Sequence, residues 1–462
     1  FVVIQHLSPD FKSLMKELLA RRTPMAIYRV KEGMRLQPNS IYLIPPGKNL
    51  VLRNRQLHLL EQEARNRYGL NLPIDIFLES LAQTQAEKAI GVILSGTGSD
   101  GTKGIRTIHE TGGFTLVQDP ATAEFDGMPR TAIATGIVDR ILSPPELARV
   151  ISQLIGWQAV PGGLSTMPLS NNGNNSLNLF GSDNLKRIIE ILAQDDQTDF
   201  SYYKNSTLSR RINRRYLISG CQNLAEFMQL LEDSVEERSI LRHDLLISVT
   251  NFFRDRPAWD FLEAEVIPNL IAQANPEEEI RCWVTACATG EEAYSLAILL
   301  DEAIAKAGKS VRFKIFATDI DTIALEKATQ GIYSQTVADD INSERLEKYF
   351  IRKDDSIQVR RQLREKLLFA PHDLTKDAGF TRMNLISCRN VLIYLQSQLQ
   401  QYVLCNLHFS LISKGILFLG EAETLGYVES EFKTLHQKNK VYQKRRNIKL
   451  NIPLKEIERI SS

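Results

Sequence analysis

Two acidic residues follow apolar runs in the C-terminal half of this 462-residue chain, at a spacing suited to binding a nucleoside. Glu292 ends the run W-V-T-A-C-A-T-G-E-E (283–292), in which a β-prone stretch gives way to small residues and then to a helical pattern. Asp319 follows a second apolar run, 311–318. In open α/β sheets ligands bind beyond the carboxyl ends of the strands, and an acid after the second strand holds the ribose hydroxyls. The pattern predicts a nucleoside-cofactor site and leaves the identity of the cofactor open.

Two further polar residues end apolar runs in the N-terminal half. His6 closes the run 1–6, and Asp100 lies in the glycine-rich loop S-G-T-G-S-D-G-T (95–102) between a buried run and a helical pattern. A histidine at the end of a strand is more often structural than catalytic, so these two residues by themselves indicate no particular chemistry.

The segments that must position these residues alternate between strand and helix in both halves, which predicts an α/β fold. Residues 1–156 are typical of a mostly parallel sheet covered by helices. Residues 157–182 are rich in Gly, Ser and Asn without an apolar period, which predicts a flexible linker. Residues 183–255 have an all-helical pattern, strand and helix alternate again over 256–446, and 447–462 form a tail.

Apolar periodicity also predicts individual elements. The predicted strands are 1–6, 40–44, 51–60, 90–94, 114–118, 137–139, 281–286, 313–318, 367–370, 383–388, 416–419 and 440–444. The predicted helices include 11–21, 74–81, 103–110 and 184–194, the last with Asp183 as its N-cap.

Composition excludes several classes of protein. Lys and Arg number 56 against 55 Asp and Glu, so no global field favours nucleic acid or a membrane surface. Five scattered cysteines without a C-x-x-C pair indicate neither a metal site nor a disulfide framework, and they fit a reducing, cytoplasmic compartment. No apolar run approaches about 18 residues, so no membrane span is expected. The chain starts inside a strand without an initiator Met, and we interpret it as part of a longer protein.

Five ordered motifs between residues 184 and 446 resemble the chemotaxis receptor methyltransferases. They are L-I-S-V-T-N-F-F-R, W-V-T-A-C-A-T-G-E-E-A-Y-S, F-A-T-D-I-D, C-R-N-V-L-I-Y and G-I-L-F-L-G-E-A-E. One glycine-rich loop would be weak evidence, whereas five motifs in order across more than half of the chain are specific. The resemblance implies a Rossmann-like domain that uses S-adenosyl-L-methionine to methylate glutamate side chains of chemoreceptors.

The resemblance also implies roles for individual residues. Arg254 and Tyr394 are expected to position the carboxylate and the methyl group without proton transfer, because a glutamate is already ionised at neutral pH. Thr250, Arg254 and Glu292 would contact the methionine end or the ribose, and Asp319 the ribose hydroxyls. The full set of implied cofactor contacts is Ser248, Thr250, Arg254, Glu292, Asp319, Asp373, Leu374, Cys388 and Arg389.

Several of these residues have simpler explanations. Arg254 is also consistent with a surface arginine at a helix end. Cys388 fits a small buried apolar residue, and Tyr394 fits a core aromatic with a solvated hydroxyl. Ser248 and Asp373 stand where some members of the family have Asn.

A basic run over 204–215 contains no acidic residue. On a helix, Leu208, Ile212 and Tyr216 would form the buried stripe, so the arginines are predicted to face outward. A solvated face is the usual explanation of such a run. The resemblance instead implies docking on the acidic cytoplasmic helices of a chemoreceptor, through Arg210, Arg211, Arg214 and Arg215. Nucleic acid is a rival partner, but base-stacking aromatics do not interleave with these arginines.

Residues 1–156 resemble the methylesterase domain that removes the same methyl groups. The matching motifs are V-I-Q-H-L, I-Y-L-I-P-P-G, G-V-I-L-S-G-T-G-S-D-G and F-D-G-M-P-R. The resemblance implies a Ser-His-Asp triad in which His6 is the base and Asp100 the orienting acid. The family's serine lies upstream of the histidine strand, and neither Ser95 nor Ser99 matches it, so this truncated domain is expected to be inactive as an esterase.

The reading that unites both halves is a methyltransferase fused to a methylesterase domain, acting on the same receptor glutamates. The alternative is a signalling scaffold that binds receptor and cofactor with little turnover. A methyltransferase for small molecules or nucleic acid is a third possibility, but no N/D-P-P-Y-type cluster follows the run 383–388. We therefore expect a cytoplasmic enzyme whose partners are receptor helices, without nucleic acid, membrane insertion or a metal.

Overall fold

The chain folds into two compact units in the computed structural model. One unit comprises Phe1–Leu179 with Ser209–Phe227, and the other comprises Phe180–Leu208 with Met228–Ser462. The structure describes residues 1–6, 14–62, 71–159, 182–194, 198–221, 223–246, 250–275, 277–353 and 356–450. Ser248, most of the predicted linker and most of the predicted tail lie outside these residues. Within the described ranges, no helix combines the length and the apolar character needed to cross a membrane.

The described part of the first unit contains three sheets of three strands each. One parallel sheet joins Val2–Val3, Ser40–Leu43 and Ala26–Arg29, and a second joins Ile90–Ile93, Phe114–Gln118 and Arg140–Leu142. An antiparallel sheet joins Met34–Arg35, Gln56–Glu61 and Lys48–Arg53. The helices are Met15–Ala20, Pro73–Gln85, Thr102–Glu110, Gly127–Ala134 and Pro144–Ala159, with 3-10 turns at Ala86–Lys88 and Pro120–Thr122.

Two predicted strands of this unit are wrong in detail. The single strand predicted over 51–60 is a hairpin, because Asn54 and Arg55 both have positive φ and reverse the chain between Lys48–Arg53 and Gln56–Glu61. Apolar alternation continues through this two-residue turn, so periodicity does not reveal it. The strand predicted at 137–139 forms instead at Arg140–Leu142.

The second unit is built on one seven-stranded sheet. Its strand order is Leu367–Pro371, Phe313–Asp319, Ile280–Thr285, Met383–Cys388, Leu411–Leu419, Val441–Lys444 and Phe432–His436. The first five strands pair in parallel. Val441–Lys444 pairs antiparallel with both of its neighbours, Leu411–Leu419 and Phe432–His436. Thr285 lies opposite both Thr318 and Cys388 in the ladders, so neighbouring strands end at the same level. The polar residues that follow these strands therefore meet at one edge, as the sequence predicts.

The helices of the second unit are Ser182–Ala193, Val235–Leu245, Arg256–Phe261, Ile267–Gln273, Glu291–Ala307, Thr322–Gln330, Ser343–Tyr349, Arg361–Arg364 and Ser397–Ser410. The residues of two further helices, Asn205–Ser219 and Leu224–Asp233, are divided between the two units. A π-helical turn, Leu262–Val266, joins Arg256–Phe261 to Ile267–Gln273, and 3-10 turns form at Phe200–Tyr202, Gln335–Asp340, Leu392–Tyr394 and Gly426–Glu431.

A small antiparallel sheet joins Ile332–Ser334, Ser356–Val359 and Phe350–Arg352. Apolar periodicity does not predict these three strands, because runs of three or four residues are too short to show a period of two.

Candidate functional site

The turn after the strand Ile280–Thr285 bends sharply around the edge of the sheet. Ala286 and Ala288 have φ of 48° and 47°, a left-handed conformation that strains a residue with a Cβ, and Gly290 has φ 94°. A Cβ on Gly290 would lie 2.8 Å from the Cβ of Ala328, so glycine is required there for space as well as for conformation. Small residues therefore let the backbone curve close to whatever the edge of the sheet binds.

Asp319 connects this turn to the end of the next strand. Its carboxylate accepts the N–H of Ala288 at 2.7 Å and the N–H of Asp321 at 2.9 Å, and its side chain is buried. Burial raises the pKa of Asp319, while the backbone hydrogen bonds oppose that rise. A carboxylate has about four lone-pair directions, so both oxygens can still accept hydrogen bonds from a ligand.

Glu292 is the second residue of the helix Glu291–Ala307 and faces the same edge. It accepts a hydrogen bond from Ser387 Oγ at 2.6 Å and lies 3.4 Å from Arg389 Nη1. Arg389 Nη2 also donates to the carboxylate of Asp255 at 2.7 Å and to the carbonyl oxygen of Arg254 at 3.1 Å. The guanidinium of Arg389 thus links the helix Glu291–Ala307 to the turn at 254–255.

Arg389 is held by its aromatic surroundings as well as by its hydrogen bonds. Its side chain is almost wholly buried, and the guanidinium lies 4.5 Å from the ring centre of Phe418 and 5.7 Å from that of Trp259. A buried arginine needs several partners to offset the loss of hydration, and these contacts supply them. We conclude that Arg389 is a rigid part of the site wall.

Most of the predicted cofactor residues line one cavity at this edge. Its wall is formed by Tyr203, Leu245, Leu246, Thr250, Arg254, Ala286, Ala288, Glu292, Asp319, Ile320, Arg389, Asn390, Val391 and Tyr394. Thr250, Arg254, Glu292, Asp319, Arg389 and Tyr394 are all among them, although they come from distant parts of the chain. The predicted convergence of the acids at 292 and 319 on a shared hollow is therefore present.

Four other predicted cofactor residues are not among those that line the cavity. Cys388 is fully buried in an apolar core cluster, as its simpler explanation allowed. The Asp373 carboxylate accepts hydrogen bonds from the N–H and the hydroxyl of Thr375, at 2.8 and 2.6 Å, and Leu374 packs against the apolar core. Ser248 lies outside the described residues. The roles of these four residues stay predictions.

Tyr203 is a wall residue that the sequence analysis missed. Burial raises the pKa of its hydroxyl, and the negative charges of Asp373 and Asp319 raise it further, so the hydroxyl lies near both carboxylates and remains protonated. Asn390, also missed, has φ 59° and directly follows Arg389. The motif C-R-N could have pointed to Asn390, whereas nothing near Tyr203 in the sequence signals its place in the wall.

The arginines predicted to face outward are only partly exposed. The stripe of Leu208 and Ile212 is buried as expected, but Arg211 and Arg214 are buried too. Arg214 forms an ion pair with Asp139 and lies 2.8 Å from His109 Nδ1. The outward orientation is therefore wrong for these two residues.

The physical reason is that the helix Asn205–Ser219 is packed on more than one face. Leu217 and Ile218 pack against the core around Phe114 and Leu116 of the first unit, and Arg140 Nη1 donates to the carbonyl of Ile218 at 2.9 Å. Arg215 is half-buried, and the side chain of Arg210 lies outside the described residues.

The first unit brings His6 and Asp100 into contact, with 2.8 Å between Nε2 and Oδ2. Asp100 is buried and also accepts the N–H groups of Ile74 at 3.0 Å and Asp75 at 2.9 Å, which fix its orientation. The hydrogen bond to Asp100 raises the pKa of His6. The pair borders a cavity of about 490 Å³ that Ser99 also lines. This geometry suits a base and an orienting acid, and the triad role stays a prediction.

Family comparisons divide the chain into three consecutive segments. Residues 1–151 match the CheB methylesterase. Residues 183–246 match the all-alpha domain of the CheR methyltransferase, and residues 248–441 match its SAM binding domain. The predicted α/β, all-helical and Rossmann-like order is confirmed, and S-adenosylmethionine is the cofactor of the matched binding domain.

Individual relatives match either nearly the whole chain or one part of it. An uncharacterized 104.1 kDa protein of Rhodobacter capsulatus is 37% identical over 442 residues, 93% of this chain and 46% of that protein, so this chain spans about half of that relative. A chemotaxis protein methyltransferase of Listeria innocua is 31% identical over 240 residues, 51% of this chain and 87% of that protein. The Thermotoga maritima CheB methylesterase catalytic domain is 26% identical, covering 34% of this chain and 82% of that one, with a TM-score of 0.30. The chain therefore belongs to the chemotaxis methyltransferase family, with a CheB methylesterase domain fused in front of the CheR methyltransferase domains.

Proposed function

We propose that this chain transfers methyl groups from S-adenosylmethionine to glutamate carboxylates of chemoreceptors. The observation that carries the proposal is the convergence of Arg254, Glu292, Asp319 and Tyr394 on one cavity at the carboxyl edge of parallel strands. The acceptor class is supported by relatives of the C-terminal half that are named chemotaxis protein methyltransferases.

The polar groups of the cavity fit the polar groups of S-adenosylmethionine. Asp319 can accept hydrogen bonds from the two ribose hydroxyls, because its oxygens retain free lone pairs beside their two backbone contacts. Glu292 provides a negative charge for the ammonium group of the methionine end. Leu245, Leu246 and other apolar wall residues suit the adenine ring.

The chemistry needs alignment more than acid or base catalysis. When bound, the cofactor supplies a methyl group on a positively charged sulfur atom, which leaves as a neutral thioether. A glutamate side chain is ionised at neutral pH and needs no base to become a nucleophile. Arg254 and Tyr394 hold the incoming carboxylate in line, and the half-buried cavity excludes water. Arg389 supports this arrangement through its hydrogen bond to the carbonyl of Arg254.

Chemoreceptor cytoplasmic helices are the proposed partner, which places the protein in the cytoplasm. The docking role of Arg210, Arg211, Arg214 and Arg215 remains part of this proposal. Arg211 and Arg214 can contact an acidic receptor only if their present packing opens, because both are buried. The half-buried Arg215 is therefore the better first target for mutation.

For residues 1–156 we propose the opposing chemistry, hydrolysis of glutamyl methyl esters, with His6 as the base and Asp100 as the acid that orients it. Neither Ser95 nor Ser99 matches the position of the family's nucleophile. The hydroxyl of Ser95 instead accepts the N–H of Phe125 at 2.9 Å. Neither of these two serines is therefore proposed as the nucleophile.

A transfer assay tests the proposed function. The full chain is incubated with methyl-labelled S-adenosylmethionine and a soluble receptor fragment, and alkali then releases label from carboxyl esters as volatile methanol. We expect base-labile label on the fragment and none on a fragment whose acceptor glutamates are replaced by alanine. Alkali-stable label, or equal label on RNA or free amino acids, would contradict the proposal. Cofactor binding without any transfer would favour the scaffold.

Arg254→Ala and Arg256→Ala form a matched pair for the same assay. Arg254 lines the cavity, whereas Arg256 lies two residues away, is exposed, and pairs with Asp260 at 3.0 Å. Misplacing the reacting groups costs on the order of 100-fold in rate, so we expect a loss of that size for Arg254→Ala. We expect near-normal transfer for Arg256→Ala.

A further inference from the structure

Glu423 has a buried carboxylate at the cofactor edge whose two oxygens both bind backbone amides. Oε1 accepts the N–H of Val391 at 2.9 Å and the N–H of Leu392 at 2.8 Å, and Oε2 accepts the N–H of Gly420 at 2.7 Å. Only 3% of Glu423 is exposed. The carboxylate thus ties together the loops that leave two neighbouring parallel strands, Met383–Cys388 and Leu411–Leu419.

The turn that Glu423 holds is conformationally strained and closely packed. Asn390 has φ 59°, in the left-handed region that residues with a Cβ seldom adopt. A Cβ on Gly420 would lie 2.9 Å from both the backbone N of Asn390 and Oε2 of Glu423. The backbone can approach the carboxylate this closely only because residue 420 is glycine. Without the carboxylate, the buried N–H of Leu392 would lose its acceptor.

The same turn carries the side chains that face the cofactor cavity. Asn390, Val391 and Tyr394 line that cavity, and Glu423 is not among its wall residues. The N–H of Tyr394 donates to the carbonyl of Val391 at 3.1 Å, and the carbonyl of Tyr394 accepts the N–H of Lys204 at 2.9 Å. The position of Tyr394 is therefore set from one side by the turn and from the other by Lys204.

We propose that Glu423 is a positioning residue for methyl transfer. Its carboxylate holds the turn 390–394 so that Asn390, Val391 and Tyr394 face the cofactor cavity. This inference rests on the proposed function, because it assigns Glu423 to the same reaction.

The test replaces the carboxylate by an amide of the same size. In Glu423→Gln one oxygen can still accept the N–H groups of Val391 and Leu392, but the amide NH₂ meets the N–H of Gly420 with no acceptor. We expect kcat for methyl transfer to fall by about 10- to 100-fold, the range that follows from a misplaced reacting group. The KM for the receptor fragment is expected to stay within a few-fold, because no docking residue changes. Amide exchange at Val391 and Leu392 should become faster.

Glu431→Gln is the matched control. Glu431 is also buried and lies eight residues away, but its carboxylate pairs with Arg446, at 2.8 and 2.9 Å, and does not reach the cavity. We expect this variant to keep kcat and to leave exchange at Val391 and Leu392 unchanged. Glu423→Asp keeps the charge but shortens the side chain, and it should retain more kcat than Glu423→Gln.

Wild-type kcat and wild-type amide exchange in Glu423→Gln would overturn the inference. If Glu423→Gln does not fold, wild-type kcat in Glu423→Asp together with unchanged exchange would overturn it. If the wild-type chain transfers no methyl group, the proposed function fails. Amide exchange then still tests whether Glu423 holds the turn 390–394. Faster exchange in Glu423→Gln than in Glu431→Gln supports this role, and equal exchange refutes it.

Discussion

The two candidate sites of this chain are assembled in different ways. The proposed cofactor cavity draws on separate segments around residues 203, 250, 290, 319 and 390, and the parallel sheet brings the last three of them to one edge. The site in the first unit consists of one hydrogen-bonded pair, His6 and Asp100, beside a wider cavity. A site set by strand register depends on many remote contacts, whereas a site set by one pair depends mainly on that pair.

The buried acids of the two sites show the same contrast. Asp319 and Asp100 each accept two backbone N–H groups, which fix the carboxylates in place. Asp100 binds His6, whose side chain is 53% exposed. Asp319 is buried and lines the cavity at the edge of the sheet. Mutations should therefore have large effects on ligand binding at Asp319 and small, local effects at His6.

The largest effect is expected from Asp319→Ala. Hydrogen bonds to a charged group contribute about 1.5–3 kcal/mol each, so losing the two bonds proposed for the ribose costs about 3–6 kcal/mol and should weaken cofactor binding by at least about 100-fold. Calorimetric titration with S-adenosylmethionine measures this loss. Asp260→Ala, at an exposed acid paired with Arg256, should bind normally. Normal affinity in Asp319→Ala would remove the basis for the comparison.

Arg389→Lys should have the next largest effect. A lysine is a single charged point and cannot contact Asp255, Glu292 and the carbonyl of Arg254 at the same time. Loss of about 2 kcal/mol of charged hydrogen bonding corresponds to roughly a 30-fold decrease in kcat/KM. Transfer kinetics on a receptor fragment measure this decrease. Arg361→Lys is the control, because the side chain of Arg361 is 83% exposed. Equal kinetics in the two variants would mean that Arg389 is not needed to shape the wall.

A pair of substitutions at Tyr203 sharpens the comparison further. Stacking of a base on an aromatic ring contributes about 1–3 kcal/mol, so Tyr203→Ala should weaken cofactor binding by roughly 10-fold. Tyr203→Phe keeps the ring and should bind within a few-fold of wild type. Because burial and two nearby acids raise the pKa of Tyr203, wild-type affinity should show no titration of this hydroxyl between about pH 6 and 9. Equal affinity in the alanine variant would show that the ring does not contact the cofactor.

The smallest effect is expected at His6. Its ordinary pKa is about 6.5, and Asp100 raises it in the folded chain. The pair therefore stabilises the fold fully below the unfolded pKa, and this stabilisation disappears as the pH rises through the folded pKa. The gain is small, because the ring is half exposed. Titration of the His6 ring protons by NMR should give a lower pKa in Asp100→Asn than in wild type, and an unchanged pKa would contradict the contact.

Local patterns predicted much of the fold and part of the site. Buried strands ending in polar residues placed Glu292 and Asp319, because apolar runs and small-residue turns are encoded by neighbours in the chain. Ordered motifs singled out Thr250, Arg254, Arg389 and Tyr394, and all four line the cavity. The hairpin turn at Asn54 and Arg55 was missed, since alternation of apolar residues continues through it.

Contacts between residues far apart in the chain were beyond such patterns. Arg214 lies off the apolar stripe of its helix, which predicts exposure to solvent. It is buried instead and forms an ion pair with Asp139 of the same unit. Tyr203 lines the cavity because it forms a β-bridge with Leu395, almost two hundred residues later in the chain. Cys388 ends a strand beside the cavity, but the pleat turns its side chain into the core.

By itself, the amino-acid order determined the family, the cofactor class and the acids at the strand ends, because each depends on residues close together in the chain. The tertiary structure alone decided which side chains share the cavity, that Glu423 clamps the turn before Tyr394, and which arginines are buried. Those outcomes depend on strand register and on ion pairs between distant segments, which form only when the chain is packed.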